Sequence, residues 1–180
     1  MITTPLFSTP IFTEVFEDYK ELNAGIHNEL MSGQHHSNMF DMPGKSIAEL
    51  HNRVWNITKD VSQKYNWFYS PKKVTARYNT ILPNECDTPH NHPGSSLVGV
   101  YYFHTPEKSG DILLHDPRSC CTWENLNYEP NDPQEQKTAR TYHRIKPQEG
   151  LLIMFPGFLQ HSVETNLSNQ NRISIVFNVF

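Results

Sequence analysis

The sequence predicts an α+β fold in which helices come first and a β domain follows. Apolar residues at helical spacing are confined to the first seventy positions, and strand-like patterns begin near Lys72 of the 180-residue chain. Helices followed by many short strands favour a β-barrel or β-sandwich with supporting helices. A chain of this length can bury one core. We therefore expect one domain over 1–180, with a helical part at about 12–66 and a β core at about 72–180.

Two helices are expected in the N-terminal part. The first, from Phe12 to about Met31, has loose helical periodicity. The second is clearer, because Ser46 and Glu49 fit a capping box and the apolar residues after them recur at helical spacing. Such a stripe predicts packing against one face of a sheet. The candidate buried residues are Val15, Phe16, Leu22 and Ile26 in the first helix, and Ile47, Leu50, Val54, Ile57 and Val61 in the second.

The β part is predicted from alternating residues and from runs of β-branched and aromatic residues. Strands are expected at Val74–Thr80, Leu97–Phe103, Ile112–Leu114, Leu151–Phe155 and Ile173–Phe180. The polar segment Cys120–Tyr142 is too long for an ordinary turn. We expect it to be a lid or an insertion at the mouth of a site.

Composition and charge exclude several classes of protein. A formal charge of −4 gives no basic footprint, which argues against a nucleic-acid partner. The three cysteines include no Cys-x-x-Cys pair, so neither a disulfide framework nor a thiolate zinc site is expected. No signal-peptide pattern and no membrane-length apolar run occur in the sequence. We therefore expect a cytoplasmic protein without membrane contact, and the sequence leaves a homodimer open.

Three histidines form the candidate metal site. His90 and His92 share a face if they lie on one strand. His161 follows an apolar strand and can supply a distant third ligand. Iron(II) oxygenases use a comparable facial set of two histidines and one carboxylate, with open positions for the reaction. Asp116 is the alternative third ligand if His92 points elsewhere, and Asp116 and Arg118 are candidates for substrate contact at the end of a strand.

Arg172 is the candidate anchor for an acidic co-substrate. It begins an apolar run that predicts a strand buried on both faces, where a guanidinium needs a partner. Arg172 and Ser174 share a face and can together bind a carboxylate. A phenol could add a hydrogen bond to the same ligand, either from Tyr78 or from whichever of Tyr101 and Tyr102 faces the pocket, since these two lie on opposite faces of their strand. Together with the histidines, these residues predict an Fe(II) oxygenase that consumes 2-oxoglutarate.

A series of motifs in a fixed order also resembles a known family. The chain is similar to the 2-oxoglutarate/iron(II) oxygenases of bacteria and their phages, which are related to prolyl hydroxylases. The similarity covers roughly 74–180, and a short motif at Pro5–Pro10 also fits. The motifs that carry it are Pro89–Ser95, Gly99–Tyr102, Gly110–Leu113, Asp116–Arg118, Phe155–Pro156, His161–Val163 and Arg172–Asn178.

The resemblance implies a double-stranded β-helix, or jelly roll, with supporting helices. It implies that His90 and His161 bind iron, and that His92 replaces the Asp or Glu of relatives. Arg172 and Ser174 match the residues that hold the distal carboxylate of 2-oxoglutarate. The tyrosines Tyr78 and Tyr102 match positions that contact this co-substrate in prolyl-hydroxylase-like enzymes.

The activity implied is oxidation of a C–H bond by O2, with release of succinate and CO2. The substrate is expected to be a peptide or protein residue or a small metabolite. If the chain is phage-encoded, we expect the protein to act in the cytoplasm of the host. Two alternatives remain at this point. One is a cupin-type dioxygenase with three histidines and no 2-oxoglutarate, and the other is a non-enzymatic jelly-roll binding module. The Arg172-x-Ser174 spacing favours the oxygenase that uses 2-oxoglutarate.

Overall fold

The computed structural model describes residues 8–32, 36–65, 70–118 and 142–180. The predicted lid therefore lies outside the described residues, apart from Tyr142. Strands and helices in chain order are β1 (Phe12–Val15), α1 (Tyr19–Ser32), a 3-10 turn (Met39–Asp41), α2 (Lys45–Lys64), β2 (Val74–Ile81), β3 (Asp87–His90), β4 (Leu97–His104), β5 (Ile112–His115), β6 (Tyr142–Ile145), β7 (Leu151–Pro156), β8 (His161–Val163) and β9 (Arg172–Val179).

The strands form two antiparallel sheets. The larger has the order β1-β7-β4-β9-β2 and the smaller has the order β3-β8-β5-β6. One apolar cluster lies between them and includes Val100 and Val176 from the larger sheet and Ile112 from the smaller. This arrangement is the jelly roll, and it confirms the α+β prediction. Strands β3, β6 and β8 were not among the predicted strands, because these short segments contain no run of β-branched or aromatic residues.

The two helices cover the outer face of the larger sheet. Along β4 and β9, alternate residues such as Tyr101 and Phe177 face the helices instead of the smaller sheet. The stripe of α2 meets them, with Ile47, Leu50 and Val54 fully buried. Each such side chain contributes about 1.5–3 kcal/mol on burial, so this contact fixes the helices to the sheet. Among the described residues, no helix is long and apolar enough to cross a membrane.

The start of the predicted first helix is a strand instead. Residues Phe12–Val15 pair antiparallel with β7 at the edge of the larger sheet, and the helix begins only at Tyr19. Val15 was expected to be buried but is 47% exposed. The helical periodicity of this segment was weak, and pairing with an available sheet edge outweighed it.

The predicted capping box of α2 is also wrong. The helix begins at Lys45, so Ser46 lies inside its first turn, and the cap residue Gly44 offers no side-chain acceptor. The carboxylate of Glu29, on α1, accepts hydrogen bonds from the backbone amides of Ser46 at 2.8 Å and Ile47 at 2.9 Å. An anion at a helix N-terminus satisfies otherwise unpaired amides and complements the helix dipole. The cap therefore comes from the neighbouring helix.

We expect Glu29→Ala to lower the free energy of unfolding by about 1 kcal/mol, the usual cost of losing an N-terminal cap. Urea unfolding of the variant, followed by circular dichroism, measures this change. Glu107→Ala removes an exposed carboxylate from a turn and serves as the matched control. Equal stability of the two variants would contradict the capping role of Glu29.

Candidate metal centre and co-substrate pocket

Three histidines converge between the two sheets. His90 ends β3 and lies directly opposite His161, the first residue of β8. His92 lies two residues beyond β3, where its amide donates to the carbonyl of Gly157 at 3.0 Å. One candidate ligand nitrogen from each ring lies within 4.8 Å of the other two. The strand pairing therefore brings together residues that are far apart in the sequence.

Each imidazole is held by a hydrogen bond between its Nδ1 atom and a carbonyl oxygen. The pairs are His90 with the Thr88 carbonyl at 2.7 Å, His92 with Oδ1 of Asn178 at 2.5 Å, and His161 with the Leu159 carbonyl at 3.0 Å. A carbonyl oxygen only accepts, so Nδ1 carries the proton in all three rings. The lone pair then lies on Nε2, which leaves three oriented nitrogen donors for one metal ion.

Burial keeps the imidazole of His161 neutral. His161 is 4% exposed, and this burial lowers the pKa of its imidazole to about 4, although the bond to Leu159 acts in the opposite direction. Burial also lowers the pKa of His92. A neutral imidazole is the form that binds a metal, so these two rings need not lose a proton at neutral pH.

Arg172 lies in the same interior with unsatisfied hydrogen-bonding groups. Its side chain is 1% exposed, and neither Nε nor Nη2 has a partner within the described part of the chain. The guanidinium lies 5.3 Å from the ring centroid of Tyr102, whose buried hydroxyl also lacks a partner there. Burial raises the pKa of Tyr102 to about 12. Unpaired buried donors are costly, and a carboxylate ligand would satisfy them.

One cavity joins the histidines to Arg172. Four alternate residues of β9 face the interior between the sheets and form a row along the strand: Arg172, Ser174, Val176 and Asn178. Ser174 is 1% exposed in this row. The residues lining the cavity are Arg77, Asn79, Asp87, His90, His92, Val100, Ile112, His161, Val163, Arg172, Ser174 and Val176.

Tyr78 does not face this cavity, and the expectation that it contacts the co-substrate is wrong. It packs on the helix side of the larger sheet, with its ring centroid 5.9 Å from that of Phe103. Because side chains alternate along a strand, its neighbours Arg77 and Asn79 face the cavity in its place. Tyr102 does lie on the interior face, within the cluster between the sheets.

Asp116 lies outside the histidine cluster. Among the described residues the group able to hold a metal consists of the three histidines alone. The Asp116 carboxylate accepts from Nε of Arg118 at 2.8 Å and from its backbone amide at 3.0 Å. Arg118 lines a separate surface groove with Phe158. The third member of the cluster is therefore His92, and the alternative assignment of Asp116 has no support from its position.

Several residues that line the cavity or support its histidines were missed from the sequence. Asn178, which bonds to His92, could have been found, because it continues the even spacing of Arg172 and Ser174 on one strand face. Arg77, Asn79 and Asp87 carried no comparable signal. Which face of β2 is interior depends on its pairing with β9, in which Asn79 lies opposite Ser174.

Comparison with known proteins shows what this architecture resembles. A family model described as "Putative 2OG-Fe(II) oxygenase" matches residues 77–178, more than half of the chain. No curated protein matches the sequence.

Solved structures resemble the fold at low sequence identity. A prolyl-4-hydroxylase from Pseudomonas putida superposes with a TM-score of 0.66 and 10% identity, over 95% of this chain and 87% of that one. A Trichoplax adhaerens prolyl hydroxylase, in complex with a hypoxia inducible factor peptide fragment, has a TM-score of 0.65 and 11% identity, over 94% and 83%. The carbocyclase SnoK from nogalamycin biosynthesis has a TM-score of 0.60 and 10% identity, over 95% and 79%.

Burial of His161 predicts that the metal-free protein loses stability in mild acid. The unfolded chain takes up a proton at this histidine near its ordinary pKa of 6.5, whereas the folded protein takes it up only near 4. The unfolded state therefore binds more protons between these values, and stability falls as the pH falls through this window. We expect a loss on the order of 2 kcal/mol from this residue between pH 7 and pH 5, measured by urea unfolding of metal-free protein.

In the His161→Leu variant, the loss of unfolding free energy between pH 7 and pH 5 should be smaller than in the wild type by about 2 kcal/mol. His27→Leu, which removes an exposed histidine of α1, should keep the wild-type dependence. If both variants had the wild-type slope, the buried neutral state of His161 would be refuted.

Proposed function

The chain belongs to the 2OG-Fe(II) oxygenase family, and we propose that His90, His92 and His161 hold its Fe(II) while Arg172 and Ser174 hold 2-oxoglutarate. Members of this family are oxidoreductases that use both cofactors and O2. The family assignment rests on the match over residues 77–178. The assignment of roles to individual residues is our proposal, and it rests on the geometry of the cavity.

One observation carries the proposal: three nitrogen donors line the same cavity as a buried guanidinium, two of whose nitrogens have no partner among the described residues. The Nε2 atoms are left without protons by the bonds at Nδ1, as a metal requires. The free donors of Arg172 suit a carboxylate, which can accept two parallel hydrogen bonds from a guanidinium. A keto diacid matches both ends of the cavity, because its keto-acid group can chelate a metal while its second carboxylate meets Arg172.

When bound, the iron and 2-oxoglutarate would supply the oxidising chemistry together with O2: 2-oxoglutarate is converted to succinate and CO2, one oxygen atom of O2 enters the succinate, and the other enters the substrate. The protein contributes binding, orientation and the exclusion of water. Four apolar side chains complete the cavity wall and restrict access of water to the reacting groups. These are Val100, Ile112, Val163 and Val176. Ser174, in the cavity lining, and the hydroxyl of Tyr102, whose ring lies beside Arg172, would add hydrogen bonds to the co-substrate.

We further propose that the substrate is a peptide or protein residue or a small metabolite, and that the outcome is hydroxylation of a C–H bond. The structural neighbours include hydroxylases named for prolyl substrates and a carbocyclase of a biosynthetic pathway, so the fold accommodates both kinds of substrate. A cytoplasmic location, a single-domain organisation and a homodimer stay predictions from the sequence.

The assignment predicts a spectroscopic signal that depends on both ends of the cavity. Anaerobic titration of 2-oxoglutarate into the Fe(II)-loaded protein should give a saturable visible charge-transfer band near ~500 nm, since a keto acid would occupy open iron positions. His161→Ala should abolish the band through loss of iron. Arg172→Ala should keep the iron but weaken 2-oxoglutarate binding by about tenfold or more, the value of a charge-assisted hydrogen bond.

His27→Ala, on the exposed surface of α1, is the matched control and should retain the band. A protein that binds iron but gives no band would refute the co-substrate assignment and favour a three-histidine dioxygenase without 2-oxoglutarate. Failure to bind iron would refute the metal assignment and favour a binding module.

The support of His92 by Asn178 gives a second prediction. Asn178→Leu keeps the branched shape of the side chain and its number of non-hydrogen atoms but removes the acceptor for Nδ1 of His92, so the ring loses its fixed tautomer and orientation. We expect Fe(II) affinity to fall by about 10–100-fold, as for other residues that orient metal ligands. Competition with a chromophoric chelator measures the change. Asn178→Asp keeps an acceptor and should retain most of the affinity; an equal loss in both variants would contradict the hydrogen-bond role.

A further inference from the structure

We propose that Arg77 binds a carboxylate of the primary substrate, so that the enzyme acts on acidic molecules. This inference rests on the proposed function, because it assumes that iron and 2-oxoglutarate occupy the histidine and Arg172 parts of the cavity. It concerns a residue that neither the sequence motifs nor the proposed co-substrate contacts include.

The position of Arg77 in β2 directs its side chain into the cavity. It lies opposite Val176 of β9, which belongs to the interior row between Ser174 and Asn178. The residue also lines the cavity, beside Asn79 on the same strand face. Arg77 is exposed, so a molecule arriving from solvent can reach it.

Nothing in the described residues neutralises this guanidinium. Arg77 takes part in no ion pair or side-chain hydrogen bond within the described part of the chain, in contrast to Arg53, Arg118 and Arg144. The carboxylate in the cavity lining belongs to Asp87, which accepts a hydrogen bond from the amide of Asn79 at 3.2 Å. The donors of Arg77 therefore remain available for a ligand.

The charges in the cavity support an anionic ligand. The charged side chains in its lining are two arginines, Arg77 and Arg172, and one aspartate, Asp87, which leaves one net positive charge. The histidine cluster contributes no carboxylate. The two charges of Fe(II) and the two of 2-oxoglutarate cancel, so the loaded cavity keeps this excess. A substrate with one negative charge would neutralise it, whereas a cationic substrate would be repelled.

The two arginines differ in position and exposure, and this separates their roles. Arg172 lies opposite Ile81, four residues along β2 from Arg77, which places the two backbones about 13 Å apart along the strand. Arg172 is buried, as suits a co-substrate that binds first and deeply. Arg77 is exposed near the histidine end of the cavity, as suits the molecule that binds afterwards and is oxidised.

The test measures binding without turnover. Protein loaded with Zn(II) in place of iron and saturated with 2-oxoglutarate is titrated with N-acetylglycine and, separately, with N-acetylglycinamide, which lacks the charge. Nuclear magnetic resonance follows the Nε–H signal of Arg77, identified by its absence in Arg77→Gln. We expect the acid to shift this signal and to bind about tenfold more weakly to Arg77→Gln, the value of a charge-assisted hydrogen bond. The amide should bind both proteins equally weakly.

Lys73→Gln removes one exposed positive charge just before β2 and controls for net charge; it should bind the acid like the wild type. Unchanged affinity of the acid in Arg77→Gln would overturn the inference, and so would absence of acid binding to the wild type. Loss of 2-oxoglutarate affinity in Arg77→Gln would overturn it too, by making Arg77 a co-substrate residue. If the wild type itself bound no 2-oxoglutarate, the proposed function would fail instead.

Discussion

The alternation of side chains along β9 is the constraint on which the rest of the structure depends. Its odd-numbered residues, such as Ile175 and Phe177, form the floor on which the helices pack. Its even-numbered residues face the smaller sheet and include Arg172 and Asn178 at opposite ends. A shift of register by one residue would turn the apolar face towards the cavity and the polar face towards the helices. Stability and chemistry are therefore fixed by the same pairing of β9 with β2 and β4.

The cavity retains polar groups at a cost to folding. Within the described residues, two nitrogens of the Arg172 guanidinium and the hydroxyl of Tyr102 have no hydrogen-bond partner, and such groups are unusual in a protein core. The surrounding jelly roll offsets this cost, because both of its sheets and both helices bury apolar side chains in two large clusters. A ligand that pairs with Arg172 recovers part of the loss, so ligand binding at this residue and stability of the fold are coupled.

The histidine cluster shows how backbone and side-chain acceptors prepare a site before a metal binds. Two of the three rings are oriented by carbonyls two residues away in the same chain segment, and only His92 depends on a distant residue. A neutral imidazole in place of a carboxylate leaves the centre more positive. Because His92 stands where similar enzymes carry Asp or Glu, the cavity has one negative charge fewer. This raises its net charge and agrees with the acidic substrate inferred from Arg77.

The sequence by itself determined that two helices precede a β core, and it identified the stripe of α2 and the candidate ligands, because these depend on local periodicity and on the chemistry of single residues. It also placed Arg172 and Ser174 on one face of a strand. Tertiary structure alone decided that Phe12–Val15 joins a sheet, that Glu29 caps α2, and that Tyr78 faces the helices while Arg77 faces the cavity. Each of these depends on a partner distant in the chain, and local patterns carry no information about pairing register or about which strand face becomes the interior.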